Sequence, residues 1–202
     1  MSYMAKDERR AAIVDAAMRV ALRDGLMNIT TRKVSAEMNA ATGIVHHHFS
    51  STADLRREVF QYFVQEEHRR ACERIQGMTP AAQLLSLLDY SGSTADDPDS
   101  RLWNDAWTEA VRNKTFGEVY AQSLLLLHGE AVRVIEEGCR SGAFHPDLST
   151  EDVSARAWRL MSVGFGVIAI FDISADVLLP ATATSLLKNG IINEFGADPA
   201  SF

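Results

Sequence analysis

Apolar residues recur at three- and four-residue steps along almost the whole chain, and no stretch keeps the strict alternation of a strand. From Asp7 to Asp24, Ile13, Ala17, Val20 and Ala21 keep that step, which gathers them on one helix face. Such a chain can bury its apolar surface only by packing helix on helix, so the expected fold class is all-α with about nine helices. The breaks agree. Gly25 is a helix stop, because glycine enters the left-handed conformation without penalty. Gly77 to Pro80 is a hinge, Ser91 to Ser100 a polar loop, Gly142 to Leu148 a turn, and Ser149 or Thr150 a cap for the long helix that follows. The segment from Phe116 to Ser141 is long and interrupted at Gly129, and Pro180 begins a last helix.

Thr30 to Phe49, TTRKVSAEMNAATGIVHHHF, holds two short helical segments around a tight turn, the helix-turn-helix arrangement. Thr30 suits the N-cap of the first helix, which runs to Met38, and Asn39 tolerates the left-handed geometry of the turn. The second helix, Ala41 to His48, has to enter a major groove. Thr42 can bond a phosphate or a base edge, Gly43 lets backbone approach the phosphate rail, and Ile44 can meet a thymine methyl. His46 and His47 can donate to phosphates or guanine acceptors, while Thr30, Thr31, Arg32 and Lys33 surround a helix terminus suited to a phosphate. Ser51 with Asp54 resembles a capping box opening a long helix, with Thr52 in its first turn. Charge agrees in sign: residues 1–60 hold nine Lys/Arg and seven Asp/Glu, and the remainder eleven and twenty. A slightly basic head on an acidic body fits a DNA reader joined to a regulatory part.

This stretch resembles the tetracycline-repressor family of bacterial regulators. The resemblance begins at Arg10 and Ile13, continues through Ala17, Gly25, Thr30 and Val34, and is strongest from Gly43 to Leu55. The family's pattern there is a glycine, two variable or apolar residues, a tyrosine, any residue, histidine and phenylalanine; here it reads Gly43-Ile44-Val45-His46-His47-His48-Phe49. Four positions depart from it: Asn39 for the turn glycine, Ala41 for a serine cap, His46 for the phosphate-binding tyrosine and Thr52 for a lysine. The resemblance implies a DNA-binding domain over residues 1–52 and a helical ligand-binding and dimerisation domain over 53–202. It implies a homodimer that binds a double-stranded DNA operator and is released by a small-molecule effector. The tryptophan-bearing acidic helix and Gly142-Ala143-Phe144 resemble the betaine-repressor-like branch.

Two further residue sets follow from the resemblance. Tyr62, Phe63, Trp103, Trp107, Tyr120 and Phe165 are candidates to line an effector pocket, and stacked aromatics would hold a quaternary amine by cation–π attraction. Each is also an ordinary core residue by type, and Asp105 and Glu109 beside them suit solvated charges. Leu160, Gly164, Val167 and Phe171, with Leu187, Ile191 and Phe195, are candidates for the dimer face; internal packing is the alternative. Gly164 and Gly166 inside a helix point to a close helix approach.

Other chemistries lack their residues. No Ser/His/Asp order with an elbow glycine and no phosphate-cradling loop supports an enzyme, and a purely protein-binding adaptor leaves Thr30–Phe49 unexplained. Adjacent histidines at 46–48 point about 100° apart on a helix, so they cannot all hold one ion, and no metal or cofactor is expected. Cys72 and Cys139 are read as core or boundary thiols; they give no disulfide framework, which fits a cytoplasmic protein. The first residues lack the apolar core of a signal peptide. Leu160 to Ile173, broken by Asp172, is shorter than the roughly 20 residues that span a bilayer and is read as a buried helix, so no membrane partner is expected.

Overall fold

The computed structural model describes residues 6–89, 97–146, 152–174 and 176–202. Among them lie nine α-helices and no strand, as the periodicity required. They are α1 (Lys6–Asp24), α2 (Thr31–Glu37), α3 (Gly43–His46), α4 (Thr52–Arg74), α5 (Pro80–Leu88), α6 (Pro98–Arg112), α7 (Lys114–Ser141), α8 (Val153–Ile173) and α9 (Pro180–Phe195). Short 3-10 turns occupy Leu26–Asn28 and Pro199–Ser201.

The caps show why the helices start where they do. Thr30, Thr79, Asp97 and Asp152 each accept a hydrogen bond from an amide of the following first turn. Pro80, Pro98 and Pro180 occupy first-turn positions, where a missing N–H is harmless. The cap expected at Ser149 or Thr150, Tyr90 and residues 91–96 of the expected loop lie outside the described residues. Gly129 does not interrupt α7, which runs unbroken through it; an exposed glycine weakens a helix without stopping one.

The chain divides into two compact units, Met1–Glu67 with Asp96–Ser123, and His68–Ala95 with Leu124–Phe202. This differs from a boundary after residue 52, because the first unit takes in most of α4, all of α6 and the start of α7. Its core joins Ile13, Ala17 and Val20 of α1 to Leu26, Val34, Val45, Leu55 and Phe60, and Leu102, Ala106 and Phe116 complete it. The core of the second unit joins Leu84 and Leu88 of α5, Val134 and Ile135 of α7, Leu160 and Met161 of α8, and Leu187, Ile191 and Phe195 of α9.

The residues expected at a dimer face belong to cores. Leu160, Val167, Phe171, Leu187, Ile191 and Phe195 are all buried within the single chain, and Gly164 is buried as well. A Cβ on Gly164 would sit 3.1 Å from the Leu88 carbonyl oxygen, so the close approach is to α5 of the same chain. Gly166 approaches nothing within 4 Å. Helical period identifies an apolar face but not whether its partner lies in the same molecule. The stretch Val153–Phe171 is long and apolar enough by composition to cross a membrane, contrary to the shorter run read from sequence. Its inward side chains nonetheless pack in globular cores, and its two arginines, Arg156 and Arg159, bond to Glu194 of α9.

Candidate nucleic-acid interface

The α2–turn–α3 segment takes the shape its residues dictate. Thr30 is extended, and its Oγ1 accepts from the Lys33 amide at 3.2 Å. Asn39 takes φ 50, the left-handed turn that the family's glycine supplies. The next helix is shorter than the sequence implied, four residues rather than eight. Thr42 precedes it in a helical conformation and makes no side-chain cap bond. Ser51 Oγ accepts from the Asp54 amide at 3.0 Å, which starts α4 at Thr52.

Exposure sorts the candidates. Thr30, Arg32, Thr42, Gly43, His46, His47 and Ser51 are exposed, and Thr31, Lys33 and Thr52 half-buried. Ile44 is half-buried and packs on the core of the first unit, so part of its side chain holds α3 in place. His48 is half-buried and Phe49 buried, at the packed end of the segment. Arg10 locks that end: it donates to the His48 carbonyl, pairs with Glu58, and lies 4.2 Å over the Phe49 ring. Arg56 donates to the Met27 and Ile29 carbonyls at 2.7 and 3.1 Å and so ties α4 to the connector before Thr30.

An ion-pair lattice braces α1 against α2. Glu37 takes Arg19 at 3.0 Å and Arg23 at 2.9 Å, and Asp24 takes Lys33 at 2.9 Å. Arg23, and then Arg19, hold the Glu37 carboxyl below the usual carboxylate range; Lys33, and then Arg23, do the same for Asp24. A lowered folded value means the lattice contributes above the ordinary carboxylate range and is lost as pH falls through the lowered one. These groups lie at the surface, exposed or half-exposed, and are salt-screened. The melting temperature should therefore fall slightly in Glu37→Gln at neutral pH and low salt, and that difference should vanish in acid or high salt. Lys33 already spends one of its three donors on Asp24, whereas Arg32 has no ion-pair partner among the described residues.

Thr52 lies where the family places a phosphate-binding lysine. Thr52→Lys should steepen the log–log dependence of DNA affinity on salt by about 0.9 per added phosphate contact. Equal slopes for variant and wild type would show that this position does not face the backbone.

Asp105, which sequence reasoning left as either a neighbour of the aromatic set or a solvated charge, has a structural partner. It comes from α6, and its Oδ2 accepts from the Leu26 amide at 2.8 Å. Gly25 before it has φ 95, and a Cβ there would meet Asp105 Oδ2 at 2.9 Å, so both the angle and the contact require glycine. Arg101, one turn earlier, donates to the Leu22 carbonyl at 3.2 Å.

The aromatic candidates are divided between the two units. Phe60 and Tyr120 stack at 5.7 Å, Trp103 stands edge-on to Phe60 at 5.3 Å, and Phe63 meets Trp103 at 5.8 Å. That filled aromatic core belongs to the first unit. Trp107 touches Tyr120 but is 56% exposed, and Tyr62, 39% exposed, lines an open cleft with Val14 and Gln65. Phe165 packs in the second unit instead. Both thiols are half-buried and free; burial, followed by Glu130 for Cys72 and Glu136 for Cys139, pushes them up, away from reactive thiolate.

Residues 13–59 match the model of the bacterial regulatory proteins of the tetR family. The HTH-type transcriptional regulator BetI of Agrobacterium fabrum is 24% identical over 128 residues, 62% of this chain and 60% of that protein. The chain thus spans about three fifths of the length of the curated relatives it matches. Two solved structures share the fold. A tetR-family regulator from Cytophaga hutchinsonii has a TM-score of 0.79 at 16% identity, covering 98% of this chain and all of that one. A transcriptional regulator from Saccharomonospora viridis in complex with choline has a TM-score of 0.68 at 19% identity, covering 93% and 96%. The helix-turn-helix and its capping residues thus lie inside a segment similar to the bacterial regulatory proteins of the tetR family, and the helical architecture beyond it is one that solved regulators of that name share.

Proposed function

We propose that the chain is a cytoplasmic, homodimeric, sequence-specific DNA-binding transcriptional regulator, a repressor released from its operator by a small molecule. The observation that carries this is the exposed set Thr42, Gly43, His46 and His47 on a short helix held by Ile44, Val45 and Phe49, inside the segment that matches the family. In a symmetric dimer two such helices lie about 34–36 Å apart and read a near-palindrome. The dimer surface is supported by the outer faces of α8 and α9, where Val163, Ile170, Ile173 and Leu186 are exposed.

The effector class is a quaternary amine. The choline held by the S. viridis regulator and the similarity to BetI support it. Such a ligand releases DNA only if it binds the DNA-incompetent state more tightly, since equal affinity shifts nothing. The test is selection of bound DNA from a random pool, followed by gel shifts on the enriched sequence with and without choline. Enrichment of a near-palindrome, with weaker binding in choline, is the expected result. If nothing is enriched the regulator reading fails; if DNA binding ignores choline the effector class fails and the regulator reading stands.

A further inference from the structure

Three side chains from two helices meet in the second unit. His68 and Cys72 lie one turn apart on α4, and Glu130 comes from α7. One ligating atom of each lies within 4.8 Å of the other two, the one such group of three among the described residues. Cys72 Sγ lies 3.6 Å from His68 Nε2. A tetrahedral zinc ion, with bonds of about 2.3 Å to sulfur and 2.05 Å to nitrogen, places those two ligand atoms about 3.6 Å apart. The helix thus already presents a sulfur–nitrogen edge of the right length. The Glu130 side chain is only 10% exposed. Arg133 holds it through Nε at 3.1 Å and Nη2 at 2.6 Å, both ending on Oε1, so Oε2 carries neither bond. Closing the widest gap of the group to a coordination edge takes a movement of about an ångström.

We propose that His68, Cys72 and Glu130 form a binding site for a thiophilic divalent cation of the zinc type, with water as the fourth ligand. A thiolate, an imidazole and a carboxylate make a donor set that suits zinc and disfavours magnesium or calcium. The thiolate and carboxylate together match the ion's two charges. Cys72 gives its proton to solvent on binding, so uptake weakens as pH falls. Arg133 acts as the outer partner that orients the ligating carboxylate. The bound ion would pin the C-terminal turns of α4 to α7. This inference does not rest on the DNA-binding reading.

Cobalt(II) is the probe, titrated into the reduced, full-length protein. The expected result is one equivalent per chain, a thiolate-to-cobalt charge-transfer band in the near ultraviolet, the intense visible bands of a tetrahedral ion, and bleaching of all of them by zinc. Cys72→Ser should remove the charge-transfer band. Glu130→Gln should keep the band and weaken binding by about tenfold or more, and Cys139→Ser should change nothing. Circular dichroism checks that each variant is folded, and Cys72→Ala repeats the test with a second side chain. Zinc should also raise the melting temperature of the wild type and not of Cys72→Ser. The proposal is overturned if the wild type shows no charge-transfer band, if the band survives Cys72→Ser and Cys72→Ala, or if cobalt binding is lost on replacing His46 and His47 instead.

Discussion

Gly43→Glu is expected to abolish sequence-specific DNA binding while leaving the fold intact. Gly43 is the first residue of α3, is exposed, and a Cβ built on it meets no atom within 4 Å. Its φ is not in the left-handed region, so a side chain adds no backbone strain. An acidic group in a first helical turn is, if anything, mildly favourable to the helix. In the proposed complex the same position abuts a phosphate. Like charges set together in an interface cost several kcal/mol, so the specific affinity should drop by about a hundredfold or more. Melting curves of the two proteins should superimpose while gel shifts diverge. Retained operator binding by a stable Gly43→Glu protein would remove α3 from the interface and take the main support for the regulator reading with it.

The largest loss of stability is expected from Gly138→Ala. Gly138 is buried on α7, and an added Cβ would sit 2.1 Å and 2.5 Å from two ring carbons of Phe144. That ring cannot swing away: it is 2% exposed and packs on Phe195 at 5.4 Å. The backbone holds it too. The Gly138 carbonyl accepts from the Ala143 and Phe144 amides at 2.9 and 3.0 Å, and Gly142, with φ 76, donates to the Cys139 carbonyl at 3.3 Å, which makes a Schellman ending for α7. Overpacking a closed core costs about 1–3 kcal/mol, and this contact should lie at the upper end. Thermal unfolding of Gly138→Ala should shift down by several degrees. Gly138→Ala with Phe144→Leu should lose less than the sum of the single changes, because the smaller side chain yields the space. An unchanged midpoint for the single variant would refute the account.

The helix-turn-helix was legible because its signals are local. The Thr30 cap, the left-handed Asn39 and the Ser51 cap each depend on residues within a few positions, and each stands where the sequence placed it. The partners of α6 were not legible. Nothing near Asp105 announces that its carboxylate serves the Leu26 amide, and Trp103 looks the same whether it lines a pocket or fills a core. The dimer face was not legible for a related reason. In α8, Leu160, Val167 and Phe171 face inward while Val163, Ile170 and Ile173 are exposed. A helix apolar on both sides offers no rule for choosing which side meets a second molecule. The cluster of His68, Cys72 and Glu130 was hidden likewise: its first two members keep helical spacing, but the third is brought in only by the fold.

The bond from Asp105 to Leu26 bears on how this protein can be dissected. Leu102, Ala106 and Phe116 belong to the same core as α1 and Val34, yet they enter the chain only after α5. A fragment cut after α3, or even at residue 67, would therefore leave that core open and the Leu26 amide without its acceptor. The proposed DNA reader is thus not a portable head that can be grafted by its N-terminal residues alone. A functional transplant would have to carry α6 and the start of α7 with it, and a chimera joined at residue 52 would inherit the motif without the support that keeps it folded.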